Sequence, residues 1–486
     1  MDLEGYAKRA LIKNENIAEK LVQRILEIKG ESLSEKKARE LAKAVIMEAK
    51  ATLKVKDFIN TFKKSGVTMG EFGVGSRGFG DFYTNSKIAE IIGKTSAIVD
   101  SRDMDDSGVV KYKGNYLVVT VDGMHSRLSD FPFLAGFHVT RAALRDIYVM
   151  GAKPIALFSD IHVADDGDVA KIFDHIAGIS VVAELTKVPL ITGSTLRIGG
   201  DMVIGERMTG CVGAVGIANN LTSRKNAKQG DLILMTEGAG GGTISTTALY
   251  YGRHEVVEET INLKFIEACE ALINSDNKLI NKIHAMTDVT NGGIRGDAKE
   301  ISKTAKVKLV FEEEKLRKLV NPKVLNMLVS LEIDYLGVSL DALLIIAPPN
   351  IVEEIIKIIS EQDIAISVVG KVESGKGAEL IVDGKVRDFT PRFRESAYTP
   401  IKKVVGESES RDFEEMKSLI DMAAKSAIEK KKKVIARISI AFPSRRYCHC
   451  NKLVASIGEG ASIRIVLIRY SSHPAMLHNV MMRLKT

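Results

Sequence analysis

Asp105-Asp106-Ser107-Gly108, Val119-Thr120-Val121-Asp122-Gly123-Met124-His125, Arg145-Asp146-Ile147 and Gly151-Ala152-Lys153-Pro154 follow one another between Met104 and Pro154. The first two segments read as carboxylates at the ends of apolar strands. The third reads as a carboxylate near the end of an apolar-striped helix. Acidic side chains gathered in this way suit Mg²⁺, a hard cation that takes oxygen ligands and usually bridges to substrate phosphates. A nucleotide site is the expectation that the rest of the chain has to support.

Working outward, strand-like and helix-like segments alternate on both sides. Leu117–Val121, Ile155–Val163, Val188–Thr192 and Met208–Ile217 read as strands, with helices at Leu134–Met150 and Val169–Leu185. A second set begins with strand Leu232–Thr236, a glycine turn and a helix near 243–251, then a helix at 261–282. Strands Val307–Phe311, Ala342–Ala347 and Ile366–Val372 follow, with helix Ile351–Ser360 among them and a hairpin turn at Asp383-Gly384. Alternation in both halves predicts an α+β or α/β pair of layered domains.

A chain of 486 residues is too long for one ordinary core, and 45% hydrophobic with 27% charged residues describes a globular protein. No apolar run approaches ~18 residues and the amino terminus lacks a signal-peptide core, which predicts a cytoplasmic protein with no membrane partner. Four cysteines argue against a disulfide framework. The net charge of +7 sits in the tail: residues 434–486 carry eight basic side chains and one acid, Glu459, which leaves 61 basic against 61 acidic in the body. The body therefore has no basic excess for binding nucleic acid.

Residues 1–60 read as a helical extension of two amphipathic helices, the first ended by Gly30 and the second opened by a capping box at Ser32 and Glu35. Gly66 to Asp81 holds so many glycines that a mobile loop able to approach a ligand is expected. Gly93-Lys94-Thr95 ends like a phosphate-binding P-loop, but its leading position is Ile88, so the pattern fails. Residues 401–433 contain a terminal helix. Beyond Val434 the patterning is lost, and Cys448-His449-Cys450 supplies too few ligands for a zinc site.

The order of these motifs resembles the aminoimidazole ribonucleotide (AIR) synthetase, or PurM-like, superfamily, including its selenophosphate synthetase-related branch. Asp105-Asp106-Ser107-Gly108-Val109-Val110 looks like the family's Asp-Asp-Ala-Ala-Val segment, and Val121-Asp122-Gly123-Met124-His125 like the strand-end aspartate after it. Arg145 to Pro154 resembles Asn-Asp-Ile-x-x-Met-Gly-Ala-x-Pro, and Asp288-Val289-Thr290-Asn291-Gly292-Gly293-Ile294 resembles Asp-Val-Thr-Gly-Gly-Gly-Leu. The resemblance implies an amino-terminal half-barrel domain, 61–220, that pairs with a second subunit to make a homodimer. It implies a carboxy-terminal α/β domain, 221–400, and ATP in the cleft between the two.

Carried over by position, Asp105, Asp106, Asp122 and Asp146 are the expected Mg²⁺ ligands. Gly238, Gly240, Gly241, Gly242 and Thr243 form a turn between strand and helix whose amides could cradle phosphate. Asp288, followed by Gly292 and Gly293, is expected to face the nucleotide. Asp122, Arg145, His125 and Arg77 are the expected catalytic side chains, with Arg77 closing over the phosphates and His125 as a general base. The departures matter too. Thr192-Gly193-Ser194-Thr195 stands where many relatives have Gly-Gly-Asp-Thr, with Asp201 displaced, and Arg145 replaces an asparagine. Ser76 and Arg77 stand where selenophosphate synthetase commonly has Cys and Lys, so no soft nucleophile is present for selenide. The expected function is transfer of the γ-phosphoryl of ATP to an oxygen of a small-molecule substrate. A non-catalytic nucleotide-binding regulator and selenophosphate synthetase itself are the alternatives.

Overall fold

Asp2 and Ser34 start two helices near the amino terminus. The Asp2 carboxylate accepts from the Gly5 amide at 2.8 Å and opens α1 (Leu3–Ile12); the Ser34 hydroxyl accepts from Lys37 at 3.4 Å and opens α3 (Glu35–Leu53). Between them α2 (Ala18–Lys29) ends at Gly30, whose φ of 54° a side chain would resist. The extension thus has three helices where two are expected. The first buries only Leu3, Ala7 and Ala10, a weak apolar stripe. The cap is Ser34 because Ser32 instead donates to the Lys29 carbonyl at 2.5 Å. The three helices close on Leu21, Ile25, Ala42 and Val45 and on Ile204 of the following domain. Lys29 fixes them further by pairing with Asp165 and with Asp166, the latter at 2.7 Å.

The computed structural model describes residues 1–275 and 278–441, so the basic tail from residue 442 on, Cys448-His449-Cys450 included, and the Asp201 side chain lie outside the described residues. The glycine-rich segment is packed rather than free. A Cβ at Gly78 would collide with the Phe393 carbonyl, and one at Gly80 with the Phe72 carbonyl. Glycine here admits backbone to close quarters instead of conferring mobility. Arg394 donates to the Glu71 carbonyl at 2.8 Å, Arg411 pairs with Glu71 at 2.5 Å, and Phe72 stacks on Phe413 with ring centres 5.4 Å apart. Helix α4 (Phe79–Ile92) begins inside the segment that reads as loop. The last helix, Phe413–Ala441, runs beyond the Lys433 end expected for it.

The amino-terminal domain is a five-stranded sheet of β1 (Gly108–Tyr112), β2 (Asn115–Gly123), β3 (Lys153–Val163), β4 (Leu190–Arg197) and β5 (Met208–Ala218), in the order β1-β2-β5-β3-β4. Only β3 and β4 run parallel. Helices α5 (Pro132–Tyr148) and α6 (Ala170–Thr186) belong to this domain, and the sheet's buried face presents Val118, Leu157, Val212 and Ala214. The other face leaves Val119, Val121 and Ile217 exposed, and the β4 edge exposes Ile191 and Leu196.

The carboxy-terminal domain is a seven-stranded sheet, ordered β12-β11-β8-β10-β6-β9-β7. Its strands are β6 (Leu232–Thr236), β7 (Ala285–Asp288), β8 (Lys308–Glu312), β9 (Leu343–Ala347), β10 (Ile366–Glu373), β11 (Gly377–Val382) and β12 (Lys385–Asp388). Asp383 and Gly384, at φ 50° and 73°, turn β11 into β12. Helices α7 (Gly242–Tyr250), α8 (Lys264–Ile273) and α9 (Gly293–Ala305) complete the part that bears on the site. Helix α8 covers less than the 261–282 expected. One apolar core joins the two domains: Leu144 and Ile147 of α5 share it with Phe265 and Leu272 of α8 and with Leu343 and Ile345 of β9. Helix α5 is accordingly buried nearly all round.

Candidate functional site

Four element ends deliver acidic groups to one cleft. Asp105 and Asp106 precede β1, Asp122 ends β2, Asp146 lies in the last turn of α5 and Asp288 ends β7. Oxygens of Asp106, Asp146 and Asp288 lie within 4.8 Å of one another. Asp105 and Asp122 stand outside that trio. Asp105 is engaged by the Ser223 hydroxyl and, at 3.3 Å, by the Arg224 amide. Thr120 donates to Asp146 at 2.8 Å.

Three carboxylates this close repel, and burial first, then the neighbouring acids, pushes Asp146 well above the usual carboxylate range. Burial raises Asp106 likewise, against the opposing pull of Arg224. The buried oxygens Asp106 Oδ2 and Asp288 Oδ1 have no hydrogen-bond partner. Oxygen-only donors with orphaned lone pairs and excess negative charge fit a hard divalent cation, so the residues present suit Mg²⁺.

A cationic frame surrounds the acids. Arg224, fully buried, lies 2.5 Å from both Asp106 and Glu300, and donates to Thr287 Oγ1 at 2.6 Å and to the Met104 carbonyl at 2.8 Å. Arg77 pairs with Glu300 and lies 3.4 Å from Asp297. Burial lifts Asp297 to about 8 in spite of those two arginines. Arg145 lies 3.0 Å from Asp288 and pairs with Asp341, which also has Arg141 at 3.5 Å. The expected catalytic Arg77 and Arg145 are thus both tied to carboxylates at the cleft wall.

The glycines divide. Gly238 and Gly240 donate their amides to the Leu319 and Leu340 carbonyls, at 2.9 and 2.7 Å, so only the end of the turn, Gly242 and Thr243 at the start of α7, lines the cleft. Gly292 (φ 93°) lies under Arg77 and Gly293 (φ 62°) against the Leu336 carbonyl, where a Cβ would collide with either. Gly292 therefore seats the Arg77 segment and Gly293 the turn at Leu336, and it is Thr290 and Asn291 that face the cleft.

The cleft has two chambers. One, of about 560 Å³, is lined by the acid trio with Arg77 and Arg224. The other, of about 490 Å³, is lined by His125, Arg127, His138, Arg145, Tyr398 and Lys402. Asp122, Thr290 and Asn291 belong to both. Burial, reinforced by Asp288 and opposed by Arg145, sets Asp122 at about 6. His125 has both ring nitrogens engaged, Nε2 with the Tyr398 hydroxyl at 2.8 Å and Nδ1 with Thr246 Oγ1 at 3.0 Å. Burial, then Lys402 and Arg127, lowers it to about 3, so it is neutral, with both ring nitrogens engaged within the protein.

Residues 104–218 match the family described as AIR synthase related protein, N-terminal domain, and residues 228–383 match its C-terminal domain. The chain belongs to the AIR synthase-related superfamily. A protein of Methanocaldococcus jannaschii whose name says only that it is uncharacterized is 55% identical over 90% of this chain and 98% of its own length. A thiamine-monophosphate kinase of Pyrococcus abyssi is 28% identical over 59% of this chain and 87% of its own. A selenide, water dikinase of Myxococcus xanthus is 25% identical over 48% and 66%, respectively. Among solved structures, a HypE–HypF complex matches at TM-score 0.52 and 20% identity, covering 63% of this chain and 98% of the other. The hydrogenase maturation protein HypE in complex with ATP matches at 0.50 and 18%, covering 59% and 88%. At such identities the likeness is one of fold.

Within this AIR synthase-related chain, sequence reasoning misses Arg224, Asp297, Glu300 and Asp341, and in the second chamber Arg127, Tyr398 and Lys402. Asp341 offers a signal, a carboxylate just ahead of an apolar strand, as at Asp106. Arg224 offers none, because its partners lie 76 and 118 residues away. Ser194, the departure from the family pattern, is exposed on β4 and lines neither chamber.

Proposed function

We propose that this chain is a Mg²⁺-dependent enzyme that transfers the γ-phosphoryl group of ATP to an oxygen of a small acceptor. The observation that carries the proposal is the close trio of Asp106, Asp146 and Asp288 with two buried, orphaned carboxylate oxygens. The names of relatives that are kinases, and of a like fold in complex with ATP, agree with it.

In this reading Asp106, Asp146 and Asp288 hold Mg²⁺, which when bound neutralises phosphate charge. Arg77, on the wall of the same chamber, orients the phosphates in a water-poor cleft, where fixed charges act strongly. Asp122, between the chambers, takes the proton of the acceptor hydroxyl as its oxygen bonds to the γ-phosphorus and the bond to ADP breaks. The neighbouring chamber holds the acceptor. We assign the working unit as a cytoplasmic homodimer formed through the exposed apolar face of the amino-terminal sheet, with neither nucleic acid nor membrane as a partner.

Calorimetric titration with ATP, with and without Mg²⁺, tests this. Magnesium-dependent binding of about one nucleotide per chain, followed by ADP release with some acceptor, is the expected result. Tight binding with no ADP release across a broad screen would favour the regulator. No binding at millimolar ATP would end the proposal. Selenide-dependent ATP consumption would favour selenophosphate synthesis; neither described cysteine, Cys211 or Cys269, lines a chamber.

A further inference from the structure

The second chamber has a charge pattern that nucleotide binding does not use. Arg145, in its lining, and Arg141, which does not reach it, are neutralised by Asp341 and Asp288. Arg127 and Lys402, on its wall, have no carboxylate within ion-pairing distance among the described residues. Arg127 stacks over the Tyr250 ring at 4.0 Å, and its Nε is buried without a hydrogen-bond partner. Lys402 Nζ lies 3.8 Å from the centre of the Tyr398 ring. Burial and the nearby Arg127 lower Lys402 to about 8, with no acid to offset them.

Two half-buried cations facing each other across one cavity repel, and a folded chain tolerates that where a ligand resolves it. The other lining groups agree in sign. His125 is neutral and joined to Tyr398, and α7 directs its amino-terminal end, through Gly242 and Thr243, into the same space. The chamber's acids are Asp122, which faces the other chamber as well, and Asp341, already paired.

We propose that Arg127, Lys402 and the start of α7 form an anion subsite that grips a phosphate or carboxylate of the acceptor substrate. This rests on the reading of the acidic chamber as the Mg·ATP site. It narrows the acceptor to a small molecule that carries an oxyanion at one end and the hydroxyl to be phosphorylated at the other, with Asp122 at the junction. A neutral acceptor would leave both cations uncompensated.

The test is calorimetric titration of the full chain with inorganic phosphate and, separately, with acetate, both without nucleotide and at saturating Mg·ATP. Lys402→Met and Arg127→Gln are compared with the parent, and Mg·ATP affinity is measured for all three. One phosphate per chain is expected to bind with nucleotide present, and each variant should weaken it by about tenfold, the scale of one charge-assisted hydrogen bond. Mg·ATP affinity should stay within about twofold, since neither side chain lines the acidic chamber. Tighter binding of phosphate than of acetate would assign a phosphate ester, and the reverse a carboxylate. Unchanged phosphate affinity in both variants, or no binding of either anion, would overturn the subsite. Loss of phosphate binding at saturating Mg·ATP would also overturn it, by showing that the site belongs to the nucleotide. Failure of Mg·ATP to bind while phosphate still depends on Lys402 and Arg127 would sink the nucleotide proposal and leave an anion site standing.

Discussion

The guanidinium of Arg224 lies 2.5 Å from the carboxylate of Asp106, and their side chains are only 2% and 6% exposed where the two domains meet. The same guanidinium reaches Glu300, so one side chain from the start of the carboxy-terminal domain ties the acid that precedes β1 to helix α9. The pair is structural, and it leaves Asp106 Oδ2 free of protein donors.

Arg224→Met should therefore be costly, because it strands Asp106 and Glu300 without their buried cation. A loss of about 3–5 kcal/mol is expected from removing one partner of a buried pair. Urea denaturation would measure it, and a loss under 1 kcal/mol would mean that water reaches the network.

Asp146→Asn should stabilise the metal-free protein at neutral pH. Burial and the neighbouring acids raise Asp146 in the folded state. A carboxyl so raised costs stability at pH values above its folded pKa and nothing below its unfolded value of about 3.9. The advantage of the variant should shrink as pH falls toward that value. Added Mg²⁺ should reverse the order of the melting temperatures, since the parent gains from the cation and the variant does not.

Asp122→Asn separates proton transfer from metal binding. Asp122 lies outside the trio, so Mg·ATP affinity should change by less than about threefold while turnover falls by about 10²-fold or more, the range for a lost general base. Parallel calorimetry and ADP-release assays decide this. A collapse of Mg·ATP affinity would return Asp122 to the metal site.

Affinity for acetate, whose own charge is constant there, should hold steady once Asp122 has ionised and fall above about 8, as Lys402 loses its proton. His125, lowered to about 3, and Tyr398, raised by burial, do not titrate in that window. Lys402→Arg should extend the plateau past pH 9, because a guanidinium keeps its charge.

Asp105, Asp106, Asp122 and Asp146 were legible because period-two and 3.6-residue patterning places them at strand and helix ends, Asp288 through the resemblance of its motif, and all five converge on one cleft. Which three come within a few ångströms was not legible, since that depends on how Ser223 and Arg224 occupy Asp105 from across the domain boundary. Arg127 and Lys402 carry no sequence signal at all: each is one cation among many, and only the cavity distinguishes it. The glycine-rich stretch misleads for a related reason. Glycine marks close approach as readily as freedom, and the carbonyls of Phe72 and Phe393 that make the approach belong to distant parts of the chain.

The apolar core shared by α5, α8 and β9 has a kinetic consequence. Parting the two domains like a hinged shell would expose Leu144, Ile147, Phe265 and Leu343 to water, at about 1.5–3 kcal/mol for each side chain fully uncovered. Molecules that bind in the chambers should then enter without the domains parting. Their capture should follow a single second-order rate that rises linearly with concentration, with no plateau set by a slow opening step.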